Sequence, residues 1–164
     1  MKRFALLLFA AFALVSCGGT EETLEDNPTS DWSKRALEVM TWEDAQKYCD
    51  KLSENGYDDW RFPTIDELRS LIINCKETEV DGECPISEKN NELPFGTATE
   101  ISEHCKGCED GKNHSKFGDK GWYWSSSERS EDATVAFRVN FDTGEVVNYN
   151  KDHKYNVRCV RTAD

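Results

Sequence analysis

The chain is poor in basic residues and has no apolar run long enough to cross a membrane. It carries 20 Lys and Arg against 32 Asp and Glu, a formal net charge of -12 over 164 residues. Because phosphate binding needs a basic face, nucleic acid is an unfavourable partner. The longest apolar run, Phe4 to Val15, is well short of the roughly 20 residues that a transmembrane helix needs. The composition predicts one acidic domain with additional segments.

The first residues are typical of a bacterial lipoprotein leader. Lys2 and Arg3 precede the apolar run, and Leu14-Val15-Ser16-Cys17 resembles a lipobox followed by Gly18-Gly19. The alternative is an ordinary secretory signal with an incidental cysteine. We predict a signal peptide over residues 1–17 that ends at a lipidated Cys17. The membrane partner is then the lipid anchor, and the location is the cell envelope, at the outer membrane or the cell surface.

The residues after Cys17 divide into a tether and a domain. Residues 18–31 contain several acids and almost no apolar side chains, which predicts an acidic, flexible tether. Residues 32–164 then form the folded domain. Six cysteines remain after Cys17, and an even number in an exported chain indicates disulfides rather than free thiols.

Two capped helices are predicted at the start of the domain, after a short edge strand or turn over residues 31–40. Thr41 with Asp44 approximates a capping box, and Gly56 is expected to end that helix. Thr64 with Glu67 forms a second capping box. Apolar residues recur at helical spacing after each cap: Trp42, Ala45, Cys49 and Leu52 in the first helix, and Ile65, Leu68, Leu71 and Ile72 in the second.

A long polar region, Asn74 to Gly121, separates the helices from the strands. A loop of this length in a compact domain is functional or covalently held, and it contains Cys75, Cys84, Cys105 and Cys108. By proximity in sequence we expect Cys75 to pair with Cys84 and Cys105 with Cys108. Strands follow at residues 122–127, 135–141 and 146–149, with a Gly-containing turn at 142–145 and a final strand at 157–161. Helices followed by an antiparallel meander make the chain α+β.

The loop cysteines are also compatible with two other kinds of chemistry. Cys105-Lys106-Gly107-Cys108 could be a redox dithiol, but the surrounding glycines give no helix start at the motif. His104 and His114 could hold zinc together with Cys105 and Cys108. An oxidising compartment and the two further cysteines favour structural disulfides. No metal or cofactor is predicted.

Candidate ligand-contacting residues lie in the loop and at the start of the first strand. Trp122 and Tyr123 offer aromatic faces, and Asn113 and Asp110 offer hydrogen-bonding groups. Trp124 is assigned to the core. Ser125 to Ser127 lacks a Gly-x-Ser-x-Gly elbow, so no catalytic residue is predicted.

Several motifs in one order resemble a known family. They are TWEDAxxxC, DWRxPTxxEL, WxWSSS and VRCVR, within Thr41–Cys49, Asp59–Leu68, Trp122–Ser127 and Val157–Arg161. This order resembles the Lcl C-terminal domain family, also profiled as the Fibrobacter major paralogous domain, over residues 32–161. The resemblance implies a C-type-lectin-like fold with a disulfide from the first helix to the last strand, here Cys49 to Cys159. The resemblance does not imply calcium binding, because this sequence lacks the Glu-Pro-Asn and Trp-Asn-Asp motifs of animal lectins.

The resemblance also bears on function. The best-known member of the family is a surface adhesin that binds sulfated polysaccharide. This chain lacks that adhesin's collagen-like repeat, and its acidity disfavours sulfated polymers. We expect a non-enzymatic binding module for glycan or protein. The alternatives are a structural envelope lipoprotein without a ligand, and an enzyme related to the formylglycine-generating enzymes, which are much longer.

Overall fold

The computed structural model describes residues 31–90 and 103–162. It contains helix α1 (Trp42–Lys51), helix α2 (Ile65–Arg69), a 3-10 turn (Glu88–Asn90) and strands β1 (Trp122–Arg129), β2 (Asp132–Asn140) and β3 (Glu145–Asn150). The strands form an antiparallel sheet in the order β1-β2-β3. The α+β class is confirmed. In this part of the chain no helix has the length and apolarity that a bilayer requires. Cys17 and residues 18–30 of the predicted tether lie outside the described residues.

Both helices start at the predicted threonine N-cap, but only the second forms a reciprocal capping box. The Thr41 hydroxyl accepts a hydrogen bond from the Asp44 backbone N–H and donates one to the Asp44 carboxylate. At the second helix the capping box is complete, because the Glu67 carboxylate also accepts from the Thr64 backbone N–H at 2.8 Å. These bonds satisfy donors that a helix cannot satisfy itself.

Each helix is shorter than predicted. Helix α1 ends at Lys51, and Gly56 belongs to a separate turn, so its assignment as the helix terminus is wrong. Glu54 and Tyr57 exchange two backbone hydrogen bonds of 3.0 Å across Asn55-Gly56. Both central residues have positive φ, 55° and 82°, as an Asn-Gly hairpin turn requires. The chain can therefore reverse immediately before Trp60.

The sheet separates two hydrophobic cores, and this arrangement follows from the alternation along its strands. On one face Tyr123, Phe137 and Val139 pack with α2 and with the loop disulfides. On the opposite face Trp124 and Ala136 pack with α1. The predicted apolar stripes of both helices are buried against these faces, except that Leu52 is only partly buried. The assignment of Trp124 to the core is confirmed.

The final segment is held differently from the strand that was predicted. Val160 forms isolated bridges with Trp32 and Arg61 rather than joining the three-stranded sheet. Arg61 and Val160 exchange backbone hydrogen bonds of 2.8 and 2.9 Å. The beginning and the end of the domain are thereby joined. Residues 31–40 likewise form only single bridges, at Trp32 and Met40.

Three disulfides connect the described cysteines. Cys49 is bonded to Cys159, as the family resemblance implied, with both residues completely buried. In the loop the pairs are Cys75–Cys108 and Cys84–Cys105, so both pairings expected from proximity are wrong.

The physical reason for the loop pairing is the position of the β2–β3 turn. The Cys108 backbone N–H donates to the Thr143 carbonyl at 2.6 Å, which holds that cysteine at the turn. Gly144 lies against the Cys75 side chain, since a Cβ on this glycine would sit 3.4 Å from its Sγ. Cys75 and Cys108 are therefore brought to the same turn although 33 residues separate them.

Candidate functional site

The charged residues between the two helices form ion pairs within the fold. Arg61 forms a bidentate pair with Glu67. Arg161 likewise pairs with Asp59 at 2.9 and 3.2 Å. Burial alone would raise the pKa of Glu67, but hydrogen bonds from Arg61 and Thr64 outweigh it and hold the pKa below its ordinary value. These residues join α2 to the last segment, which accounts for them without a ligand.

The serines after Trp124 also form hydrogen bonds within the fold. The Ser125 hydroxyl donates to the Phe137 carbonyl at 2.8 Å across the sheet. The Ser127 hydroxyl accepts from the backbone N–H of Ile65 at 2.7 Å, at the first residue of α2. Both hydroxyls thus hold β1 to its neighbours.

Tyr123 was proposed as a ligand-contacting residue, and this assignment is wrong. Its side chain is completely buried and packs edge-on against Phe141 with ring centroids 5.1 Å apart. Burial, with the negative charge of Asp119 adding to it, raises the pKa of Tyr123 far above its ordinary value. Alternation along β1 places Tyr123 on the face that meets α2.

Asn113 and Asp110 are at the surface, but their polar groups are used within their own loop. The Asn113 amide donates to the Ser115 carbonyl at 2.7 Å and accepts from its backbone N–H at 3.2 Å. Asp110 pairs with Lys112 at 2.7 Å, and this hydrogen bond lowers the pKa of the Asp110 carboxyl. Ser115 forms a bridge with Ile72 just after α2. The loop therefore lies on the α2 side of the sheet, away from the face that carries Trp122.

The loop histidines and cysteines are not assembled into a metal site. Cys105 and Cys108 are both in disulfides. His114 is buried, with Nδ1 3.1 Å from the Ile73 carbonyl and Nε2 3.1 Å from an Asp110 oxygen. Among the described residues no group of three or more His, Cys, Asp or Glu side chains could hold a metal ion.

Trp122 belongs to a group of side chains that the sequence analysis did not assemble. The Arg138 guanidinium carbon lies 3.8 Å from the Trp122 ring centroid, 4.0 Å from that of Tyr149 and 4.4 Å from that of Tyr155. His153 packs edge-on against Tyr149 with ring centroids 4.7 Å apart. We call Trp122, Arg138, Tyr149, His153 and Tyr155 the aromatic–arginine cluster.

Strand register places three members of this cluster on one face. Arg138 is opposite Trp124 in β1 and opposite Val147 in β3. Trp122 and Tyr149 are each two residues from those partners and therefore project from the same face as Arg138. This is the face that α1 covers further along, around Trp124. At the cluster the Tyr155 ring covers this face instead, and Tyr149 and His153 remain exposed.

The segment after β3 supplies the rest of the cluster. Tyr155 exchanges backbone hydrogen bonds of 3.0 and 3.1 Å with Met40, and the Asn156 backbone N–H donates to the Trp122 carbonyl at 3.0 Å. The Trp124 ring nitrogen donates to the His153 carbonyl at 3.3 Å. Residues 153–156 are thus fixed against β1, which sets the position of the Tyr155 ring.

The cation lies beneath the rings. Arg138 is only 7% exposed, whereas Tyr149 is 40% exposed, Trp122 and Tyr155 are half-buried and His153 is exposed. Burial lowers the pKa of Arg138, and the Arg138 Nε is buried with no hydrogen-bond partner in the described part of the chain. Burial also raises the pKa of the nearby Glu145 carboxyl, an effect that the charge of Arg138 opposes. The result is a partly exposed aromatic surface, held in place by a buried cation and accompanied by one carboxylate.

Part of this cluster could have been found from the sequence. Alternation places Trp122 and Trp124 on one face, and the turn at 142–145 fixes which residues of β2 and β3 are opposite each other. That register would have brought Tyr149 and Arg138 to the face of Trp122. No local signal places Tyr155, because its position depends on contacts with Met40 and β1.

Comparison with known protein families gives a match over most of the chain. A search of the curated proteins finds no relative of this chain. The model of the Lcl C-terminal domain family matches residues 22–161, and this range contains all the motifs that suggested the resemblance. The chain therefore belongs to the Lcl C-terminal domain family.

Proposed function

We propose that this protein is a lipid-anchored binding module of the bacterial cell envelope and that it recognises a neutral glycan through the aromatic–arginine cluster. The observation that carries the proposal is the group of three partly exposed aromatic rings that surround buried Arg138. The Leu14 to Cys17 box supports the lipid anchor, with residues 18–31 as the tether that holds the domain away from the membrane.

The scaffold supports a C-type-lectin-like assignment, which we propose together with the function. Two short helices precede a small antiparallel sheet, and a disulfide joins α1 to the final segment. A long disulfide-linked loop region lies between the helices and the sheet. Rigid elements of this kind commonly present recognition residues at their edges.

The chemistry of the cluster suits a sugar ring. The apolar C–H face of a pyranose can pack on an aromatic ring, while its hydroxyls need donors and acceptors nearby. Arg138 and Glu145 supply one charge of each sign beneath and beside the rings. Glu109 also acts electrostatically on Glu145, so the charges near the cluster favour a neutral ligand over a polyanion.

The cluster is not arranged for stability alone. Leaving a buried donor such as the Arg138 Nε without a partner costs about 1–3 kcal/mol. Desolvation of the charged guanidinium adds a further penalty, and the three rings offset part of the total through cation–π attraction, about 2 kcal/mol or more for a desolvated contact. An apolar residue at position 138 would pack the same face without that cost. The retained charge and the exposed rings are consistent with a recognition surface.

The test compares two exposed tyrosines that each cover an arginine. Tyr149 and Tyr57 are both 40% exposed, and Tyr57 lies over Arg161 at 3.6 Å on another part of the surface. A glycan array identifies neutral ligands, and calorimetry then measures their affinity for wild type, Tyr149→Ala and Tyr57→Ala. We expect Tyr149→Ala to weaken binding by about tenfold or more, equivalent to about 1.4 kcal/mol, and Tyr57→Ala to leave it unchanged. Absence of any glycan ligand, or equal effects of the two substitutions, would refute the proposal.

A further inference from the structure

A cavity of about 550 Å³ lies beside the end of α2, apart from the aromatic–arginine cluster. Its wall is formed by the chain that follows Cys75, including Lys76, Val80 and Asp81, and its other side by Ile73 and Lys116. This volume is within the range of about 300–1,000 Å³ that is usual for small-ligand sites.

Buried Arg69 fixes the shape of that wall. Its guanidinium donates to the backbone carbonyls of Thr78 at 2.9 Å and Glu79 at 2.6 Å, and also to that of Ile86. Arg69 is 1% exposed, so the loop is wrapped around a desolvated cation. Burial lowers the pKa of Arg69, and the negative charges of Asp66 and Asp81 oppose that shift. The wall is therefore held by hydrogen bonds that a charged group strengthens.

The lining has a charge opposite to that of the protein. It contains the cations Arg69, Lys76 and Lys116 and the anions Glu79 and Asp81, a formal excess of one positive charge, whereas the whole chain carries -12. Both lysines are exposed, and within the described residues neither forms an ion pair. Both anions have a role in the wall, because a Glu79 oxygen accepts from the Cys75 backbone N–H at 3.3 Å and Asp81 acts electrostatically on Arg69. Arg69 is buried in the wall, so Lys76 and Lys116 are the exposed cations of the lining that can contact a negative group of a ligand.

Apolar surface lies next to the two lysines. Val80 is 43% exposed, Ile73 is half-buried and Ile72 forms part of the lining. This area is too small for a helix but suits one aliphatic side chain. A ligand that fits both features has one carboxylate and one apolar group close to it.

We propose that this cavity binds the C-terminal carboxylate of a peptide whose last residue is aliphatic. Lys76 and Lys116 hold the carboxylate as mobile point charges. The terminal side chain packs on Val80 and Ile73, and carboxylate capture of this kind is a recurring mode of peptide recognition. The site is independent of the aromatic–arginine cluster and takes a different class of ligand.

The probe is N-acetyl-Ala-Leu as the free acid, with its C-terminal amide as the matched control. Both are titrated by calorimetry into the purified full chain in a neutral detergent. We expect the free acid to bind with about tenfold or greater preference over the amide, which lacks the charge. We expect Lys76→Gln and Lys116→Gln each to reduce that preference severalfold, while Lys120→Gln, at an exposed lysine outside the lining, leaves it unchanged. Tyr149→Ala should leave it unchanged as well.

Three outcomes would overturn the assignment. They are equal affinity for acid and amide, no binding of the acid at millimolar concentration, and equal loss in the Lys120→Gln control. All three variants are at exposed lysines, so a folding defect does not obscure the result. Failure of glycan binding in the Tyr149 test has no bearing on this measurement.

Discussion

Removing the Cys49–Cys159 disulfide is expected to destabilise the domain more than removing a loop disulfide. The bond joins residues 110 apart, and both cysteines are completely buried among the residues that α1 packs on the sheet. Chain-entropy reasoning assigns about 4.7 kcal/mol to a loop of about 100 residues. The free energy of unfolding of a natural domain is about 5–15 kcal/mol, so this one bond supplies a large share.

Cys84–Cys105 provides the matched control. Its separation is 21 residues, and its cysteines are 3% and 0% exposed, so the packing lost on substitution is similar. The same relation assigns this bond about 1.5 kcal/mol less than Cys49–Cys159. Cys49→Ala/Cys159→Ala should therefore lose about 1.5 kcal/mol more than Cys84→Ala/Cys105→Ala. Double substitution avoids a free thiol in either variant.

The measurement is urea denaturation followed by tryptophan fluorescence. Trp42, Trp60 and Trp124 all lie in the core that contains Cys49 and Cys159, so their emission reports on that core. The free energy of unfolding is extrapolated to water for wild type and both variants. Equal losses, or a larger loss in the Cys84/Cys105 variant, would refute the argument from loop length.

Four other predictions concern the predicted leader, two ion pairs and the net charge. Cys17→Ala should leave an uncleaved precursor of the proposed lipoprotein, and normal processing with membrane partition of that variant would contradict the lipid anchor. Asp119→Ala removes the carboxylate that neutralises buried Arg158 at 2.6 and 2.9 Å and should cost about 3–5 kcal/mol in thermal or urea denaturation. Because folding lowers the pKa of Glu67, its carboxylate adds to the free energy of unfolding above its unfolded-state pKa, and this contribution is lost as pH falls through the lower folded-state value. Glu67→Gln should therefore flatten the acid side of a plot of stability against pH. Finally, the acidic domain should pass through a heparin column at about 0.15 M salt, where the screening length is about 8 Å, and retention would contradict the preference for neutral ligands.

The accurate sequence predictions concern interactions between residues close together in the chain. Thr64 and Glu67 are three positions apart, and their reciprocal capping bonds depend only on helix geometry. The turn after Asn140 and the alternation of Phe137 and Val139 are also local, and the structure has both. Asn55-Gly56 is also typical of a hairpin turn, but glycine is common at helix ends too, and the prediction of a helix terminus at Gly56 is therefore wrong.

The composition also determined several properties without any coordinates. The excess of acids disfavours polyanions wherever the individual carboxylates lie. Six cysteines after Cys17 indicated disulfides, and the described residues contain three. The motif order identified the family, because family resemblance is itself a property of sequence.

Only the tertiary structure decided which cysteines pair and which residues meet at the surface. Proximity in sequence favoured Cys105 with Cys108, yet the position of Cys108 beside Thr143 gives it Cys75 as its partner. The aromatic–arginine cluster needs the register of three strands and, in addition, the docking of Tyr155 against Met40. Local signals specify helices, turns and strand faces because their energies depend on neighbouring residues. Contacts between distant segments depend on how those elements pack, and in this protein they determine the site that we propose.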